Sequence, residues 1–410
     1  MPRPQPTGRP STAEEFVEDI HEIAPLISAA ADGNEAAGTV DHDLMAMLRE
    51  RGYYEILAPE DFGGLDFSPG DAMTVFAELS YVDASVGWLI GVQNSQQKVT
   101  QLLEKTAVSE LYRDGAPRLA GASAPTMRAE RVDGGYRITG RSGYTSGYDH
   151  ADYLVSGAFV VKGGEQQVDA HGRPESIVFV VEKEHAVRAS DWDVIGLRAT
   201  ASVDYEIADV FVPADHAFAS QVPMVASWGG ASARVGFAAW TLVCHTATEI
   251  GLGRRLLDEL LAKSTEATSR RSRPAESEVF RENFARAEAK YRSARAWVRE
   301  LWTAIDADVA AGGTPSREQT TDARNAMLHF NRVNKEIASF VFEEAGGAAL
   351  RGGPIQRFHR DHLAASQHIQ VARRFYQSIA ADYLGEAEGM MWSAVGLVPD
   401  PLIHDPAEAG

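Results

Sequence analysis

Cysteine is almost absent: Cys244 is the one thiol in 410 residues, so no disulfide can form within the chain and the fold must rest on a buried core. It sits in the apolar run Trp240-Thr241-Leu242-Val243-Cys244, which marks it as a small packed hydrophobe. Basic charge is also scarce. Lys and Arg number 39 against 58 Asp and Glu, a formal net charge of −19. That balance excludes nucleic acid as a partner, because phosphate binding needs a net basic surface. It still allows a small anion held by a local Arg cluster. No apolar run approaches the roughly 20 residues that a membrane-spanning helix needs. No secretory signal is visible, and the expected location is cytoplasmic. No H-E-x-x-H occurs, and no metal is expected. The Gly-rich run 346–353 lacks the strand before it that a dinucleotide fingerprint requires.

What the chain does show is a period that changes twice. Ser11 or Thr12 suits a helix N-cap, and helical spacing continues to about residue 116, with turns at Gly52, Gly63-Gly64 and Pro69-Gly70. One helix is expected over 72–97. Short alternating runs follow at 136–139, 153–161, 177–181 and 203–207, the first behind the turn signal Asp133-Gly134-Gly135. They predict an antiparallel β unit, a small sandwich or barrel. Helical spacing then returns, with helices expected over 233–267, 277–311, 316–344 and 354–388, packed as an antiparallel bundle. Three units result: an all-α unit at 1–118 with 1–10 a flexible arm, a β unit at 119–226, and a helical bundle with a tail at 227–410. Within the last expected helix Asp361, Ala365, His368 and Ala372 share one face, and His368, with an ordinary pKa near 6.5, is the first candidate for chemistry. Asp361 is expected to pair with Arg357 at i,i+4. His359 and His362 are expected to be solvated or interface residues.

The order of helices, β unit and bundle resembles the acyl-CoA dehydrogenase fold, and motifs agree along nearly the whole chain. The run 51–64 resembles that superfamily's turn between early helices, and Asp83-Ala84-Ser85-Val86-Gly87-Trp88 the helix that follows. The runs 195–202 and 209–213 resemble its flavin-side strands. Gly346-Gly347, Arg357 and Arg360-Asp361 resemble its last core helices. The superfamily holds two chemistries, dehydrogenation of acyl-CoA by bound FAD and oxygenation by reduced flavin. Where many dehydrogenases place a catalytic Glu after the Arg-Asp pair, this chain has Gln367-His368-Ile369. Tyr144-Thr145-Ser146-Gly147-Tyr148-Asp149-His150-Ala151-Asp152 resembles the monooxygenase run aromatic-x-Ser-Gly-x-x-His-Ala-Asp, with Ser142 where a Trp often precedes it. Ser269-Arg270-Arg271-Ser272-Arg273-Pro274 replaces the dehydrogenase run that grips the adenosine half of FAD. Gln93-Asn94-Ser95-Gln96 stands where some monooxygenases have a His.

The resemblance implies the oxygenase component of a two-component flavin-dependent monooxygenase. Such a protein takes FMNH2 or FADH2 from a separate reductase and forms a C4a-hydroperoxide with O2. It then hydroxylates an aromatic or polycyclic substrate, or oxygenates an amine nitrogen or a sulfur. Ser146 is expected as the catalytic donor near flavin N5, and His368 as the catalytic base. Tyr144, Thr145, Ser146, Thr200, Ser202, Arg270, Arg273, Gly346 and Gly347 are expected around the flavin. Trp88, Asn94 and His368 are expected around the substrate. A homotetramer joined through the bundle is implied. Two other readings stay open: an FAD-dependent acyl-CoA dehydrogenase with its acid elsewhere, and a non-catalytic ligand-binding scaffold.

Overall fold

A computed structural model describes residues 8–168, 172–220, 226, 228–266 and 273–400. Thr12 opens α1 (Ala13–Ala37): its hydroxyl accepts the Glu15 N–H while the Glu15 side chain bonds back to the cap backbone. Phe16, Ile20, Ile23 and Ile27 recur at helical spacing and are buried. α2 (His42–Glu50), α3 (Pro69–Val82), α4 (Ala84–Thr100) and α5 (Lys105–Leu111) complete the first helical set. The single helix expected over 72–97 is two helices. Asp83 leaves helical geometry at φ −152° and ψ 121°, its N–H closes α3 on the Leu79 carbonyl, and its carboxylate accepts the Val86 N–H at 3.0 Å to cap α4. One acid thus ends one helix and starts the next, which apolar periodicity does not register.

The strands β1 (Leu119–Val132), β2 (Gly135–Thr145), β3 (Tyr153–Lys162), β4 (Glu165–Gln166), β5 (Ser176–Glu182), β6 (Ala186–Arg188), β7 (Val203–Pro213) and β8 (Ala217–Ala219) form one sheet. Its order is β6-β7-β2-β1-β3-β5-β8, with β4 on β3. Pairing is antiparallel except between β1 and β3, which run parallel. Alternate residues such as Ile138, Leu154, Phe179, Val203 and Tyr205 build a core of the sheet's own.

The chain then forms α6 (Phe237–Ser264), α7 (Glu278–Ala310), α8 (Arg317–Ala345), α9 (Pro354–Ala365) and α10 (Phe375–Tyr383), followed by the hairpin β9 (Met390–Ser393) and β10 (Gly396–Pro399). The first and last helical sets share one core. The helix expected over 354–388 is broken. After Ala365 the backbone tightens, Gln367 N bonding to Ala364 O and His368 N to Ala365 O, and His368 then extends at φ −61° and ψ 143°. His368 therefore leaves the helix face that carries Asp361 and Ala365.

α9 ties the pieces together. Arg357 Nη1 reaches Asp32 Oδ1 of α1 at 2.6 Å, and Arg360 Nη2 reaches Glu35 Oε2 at 2.8 Å. Asp361 Oδ1 accepts the Leu197 N–H at 2.6 Å, and Arg360 Nη1 donates to the Ile195 carbonyl at 2.9 Å. The expected Asp361–Arg357 pair is thus absent, because the acid faces the sheet's loop while the Arg faces α1. Gly196 permits the approach: a Cβ there would stand 2.0 Å from the Arg360 carbonyl oxygen.

Burial pushes the Asp361 carboxyl up to about 8, the Leu197 N–H only partly opposing it. The folded state therefore holds this proton more tightly than the unfolded chain, whose Asp titrates near ~3.9. Its contribution is full below about pH 4 and is lost as pH rises towards about 8. The melting temperature of the wild type relative to Asp361→Asn should accordingly fall between those limits. A gap that is flat or that widens with pH would show that Asp361 is not the titrating group.

Candidate active site

Trp88 on α4, Ser146 after β2, and Thr200 and Ser202 before β7 form a line of hydrogen bonds whose direction is fixed by its ends. Trp88 Nε1–H donates to Ser146 Oγ at 3.0 Å, and the indole has nothing with which to accept. At the far end Thr200 Oγ1 donates to the Leu197 carbonyl at 2.8 Å. Thr200 has spent its one proton, so Ser202 donates to it at 2.7 Å. Ser202 has then spent its own, so Ser146 donates to Ser202 at 2.7 Å. Ser146 is left with a lone pair. This order gives the Ser146 proton to Ser202 and leaves the hydroxyl a lone pair for a further partner, whereas the sequence reading expected it to donate.

On the other side of Trp88 lies His368. The two rings meet edge to face at 5.2 Å and 73°. His368 Nδ1 accepts the Gln370 N–H at 3.3 Å, which leaves Nε2 as the nitrogen that carries hydrogen. Burial, and then the neighbouring His245, push the imidazole down to about 3. Burial therefore favours the neutral imidazole with its hydrogen on Nε2, where the sequence reading expected a base titrating near neutrality. The residue as a whole keeps partial exposure, so the site is not sealed. Gln370 is itself held by Arg324 Nη1 at 2.8 Å, from α8.

His245 and Glu249 escaped the reading of the sequence. They lie in an apolar helix, and a His and a Glu spaced i,i+4 among buried residues were the available signal. His362, expected at the surface or an interface, is buried with Nδ1 3.5 Å from Glu249 Oε2. His359 stacks on Phe342 at 4.8 Å. The Cys244 thiol is buried and pushed up to about 12 by that burial, as suits a packed residue.

The other expected site residues divide. Thr145 is buried beside Ser146, and its Oγ1 has no hydrogen-bond partner among the described residues. Tyr144 turns outward at φ 57° and is 78% exposed, its ring 6.2 Å from Trp192. Gly346 and Gly347 form an exposed turn after α8, and Arg273 is exposed before α7. No hydrogen bond or ring contact joins these three to the Ser146–His368 group among the described residues. Arg270 and Arg271 lie outside the described residues.

Asn94 is corrected from a substrate contact to a structural clip. Its Oδ1 accepts the Leu57 N–H at 3.0 Å, and its Nδ2 donates to the Tyr53 and Ile90 carbonyls at 2.7 and 2.9 Å. It is fully buried with no polar atom to spare. Asn94→Ala should lower stability to denaturant by about 2–4 kcal/mol, since it strands buried backbone groups. Unchanged stability with weakened substrate binding would restore the role first expected.

Comparison with known proteins bears on the family and the fold. The acyl-CoA dehydrogenase N-terminal domain matches residues 11–113, and the acyl-CoA dehydrogenase C-terminal domain matches residues 243–373. The indole-3-acetate monooxygenase of Acinetobacter baumannii is 29% identical over 335 residues, 80% of this chain and 83% of that protein. The flavin-dependent monooxygenase oxygenase subunit HsaA of Rhodococcus jostii is 26% identical over 373 residues, 86% of this chain and 93% of that protein. The crystal structure of the HsaA monooxygenase from M. tuberculosis superposes with a TM-score of 0.83 at 22% identity, over 91% of this chain and 98% of that one, which shows the shared fold. The two domain matches together with these relatives place the chain in a family: it belongs to the acyl-CoA dehydrogenase superfamily, in its branch of flavin-dependent monooxygenases.

Proposed function

We propose that the protein is the oxygenase component of a two-component system, which receives reduced flavin from a separate reductase and hydroxylates an aromatic or polycyclic substrate with O2. An amine nitrogen or a sulfur is the second class of acceptor. The observation that carries this is a pair of neutral polar groups of opposite sense on either side of Trp88: a lone pair on Ser146 and an N–H on His368. A dehydrogenase needs instead a free carboxylate to take an α-proton. The carboxylate behind this pair, Glu249, has both oxygens taken by Asn331 and Asn334.

The donor set suits a flavin. Thr145 brings a buried hydroxyl with no partner among the described residues, Tyr144 and Trp192 offer ring faces, and Ser146 offers an acceptor. Reduced flavin supplies the electron pair that activates O2, one oxygen atom going to the product and the other to water. Ser146 would accept the N5–H that reduced flavin carries and oxidised flavin lacks. His368 Nε2–H would hold the substrate's oxygen or the departing oxygen without becoming charged. Trp88, 7% exposed, fills the space between them with an apolar ring. A homotetramer completes the proposal. The outer faces of α7 and α8, with clefts of about 540 and 630 Å3 that hold none of the site residues, are surface available for it. Light scattering measures that assembly.

Reduced FMN or FADH2 bound to the protein and mixed with O2 should show a resolved phase before oxidised flavin appears. With indole-3-acetate or resorcinol as probes, names carried by two relatives' substrates, oxygenated product should replace part of the hydrogen peroxide. Immediate reoxidation with full peroxide release, whatever the probe, would sink the oxygenase assignment.

The hydroxyl line makes a separate prediction. Thr200→Val removes the acceptor of the Ser202 proton, so Ser202 can turn to Ser146 and the Ser146 proton is freed towards the flavin. Oxidised flavin should then bind about five- to tenfold more tightly, the equivalent of one hydrogen bond of ~1 kcal/mol. An unchanged Kd for oxidised flavin would show that the line does not orient Ser146.

A further inference from the structure

One buried side chain anchors the turn that follows His368. Ile369–Val371 form a single 3-10 turn, closed by the Val371 N–H on the His368 carbonyl at 3.1 Å. Of its three residues Gln370 alone is buried. The Gln370 backbone N–H donates to His368 Nδ1 at 3.3 Å. Its side-chain carbonyl accepts Arg324 Nη1 of α8 at 2.8 Å, and its Nε2 reaches the Ala394 carbonyl, between β9 and β10, at 3.4 Å. Arg324 is fully buried, yet no carboxylate pairs with it among the described residues, and its Nε and Nη2 have no hydrogen-bond partner there. Two rings flank it instead. The guanidinium carbon stands 4.2 Å from the ring centre of Phe375, which opens α10, and 4.9 Å from that of Trp392 on β9. Trp392 is tied back to α8, its Nε1 donating to Thr321 Oγ1 at 2.6 Å. A cation buried without a counter-charge is costly, and aromatic faces offset only part of that cost. Packing alone would be served by an apolar side chain of similar volume. The hydrogen bond that Arg324 does make goes to Gln370, so its effect on the site passes through that residue.

We propose that Arg324 is a positioning residue for His368. Through Gln370 it holds the turn in place, so that the Gln370 N–H stays on Nδ1 and the imidazole keeps its edge-to-face contact with Trp88 at 5.2 Å. The neighbouring Ile369 is 54% exposed and gives the turn no comparable hold. A 3-10 turn of three residues is too short to fix its own direction between two helices. Arg324 supplies that direction from α8, a long helix of the bundle. The same guanidinium packs on Phe375 and Trp392, so the turn, α10 and the hairpin all converge on one side chain. For its purpose the proposal rests on the oxygenase assignment, in which His368 Nε2–H faces the substrate. The hold on the ring does not depend on that assignment.

The test reads the His368 ring nitrogens by long-range 1H–15N NMR of the flavin-free full chain, 15N-labelled at histidine, with His368→Gln to assign the signals. The pH is held near ~8, above the ordinary imidazole range. A ring fixed by an N–H on Nδ1 has one nitrogen with hydrogen and one without, and their shifts lie far apart. The wild type should show that pattern. Arg324→Met keeps an unbranched apolar side chain against Phe375 and Trp392 but frees Gln370. In it the two shifts should move towards each other as the Nδ1–H form grows about five- to tenfold, the hold of one hydrogen bond. Gln370→Leu should do the same, and it serves if Arg324→Met does not fold. A merely structural Arg324 would lower the melting temperature and leave the nitrogen shifts of the folded protein where they are. Unmoved shifts in either folded variant would therefore overturn the proposal, as would averaged shifts in the wild type. The measurement needs no flavin and no substrate, so its failure is told apart from failure of the oxygenase assignment.

Discussion

Asp361 holds the Leu197 N–H at 2.6 Å in a place that water does not reach, and the candidate active site hangs from that bond. On one side α9 is fastened to α1 through Arg357–Asp32 and Arg360–Glu35. On the other, the loop from Leu197 to Ser202 is fastened to α9. That loop supplies the carbonyl that receives the Thr200 proton, and therefore the polarity of every hydroxyl up to Ser146. The acid works at neutral pH because burial keeps it protonated: an uncharged carboxyl can accept an N–H without the desolvation of an ion.

The chemistry that follows is one of neutral groups with a defined sense. A serine hydroxyl in water can donate or accept, and an imidazole can carry its hydrogen on either nitrogen. Here both freedoms are removed by neighbours that have no choice: the donor-only indole of Trp88, the acceptor-only carbonyl of Leu197, and the donor-only N–H of Gln370. One layer back, the Glu249 carboxylate is held by two amides from α8, with His245 and His362 each 3.5 Å away.

The order of the units was readable because a period of 3.6 residues gives way to one of 2 and returns, and Thr12 with Glu15 marks the first helix start. Ser146, Trp88 and His368, far apart in the chain, do come together. What the sequence did not disclose was set by side chains meeting backbone. Asp83 splits a continuous apolar stripe because its carboxylate caps a new helix. Helix α9 stops without Gly or Pro because His368 caps the turn after it. Trp88 and Asn94 lie six residues apart on one helix, hence on different faces, and only the first looks into the site. The protonation states were the least readable feature, since burial and a neighbouring ring move His368 far from its ordinary value.

His368 stands on the short stretch between α9 and α10, a single 3-10 turn (Ile369–Val371) flanked by extended residues, which the hairpin of β9 and β10 meets through Gln370 and the Ala394 carbonyl. In a helix, inserting or deleting one residue rotates every later side chain by about 100° and would scramble the core behind it. In a short connection between helices a change of length is absorbed locally. Evolution, or an engineer, can therefore resize the far wall of the reacting space by changing the stretch from Ser366 to Arg374. The sheet, the hydroxyl line and the first helical set would keep their places.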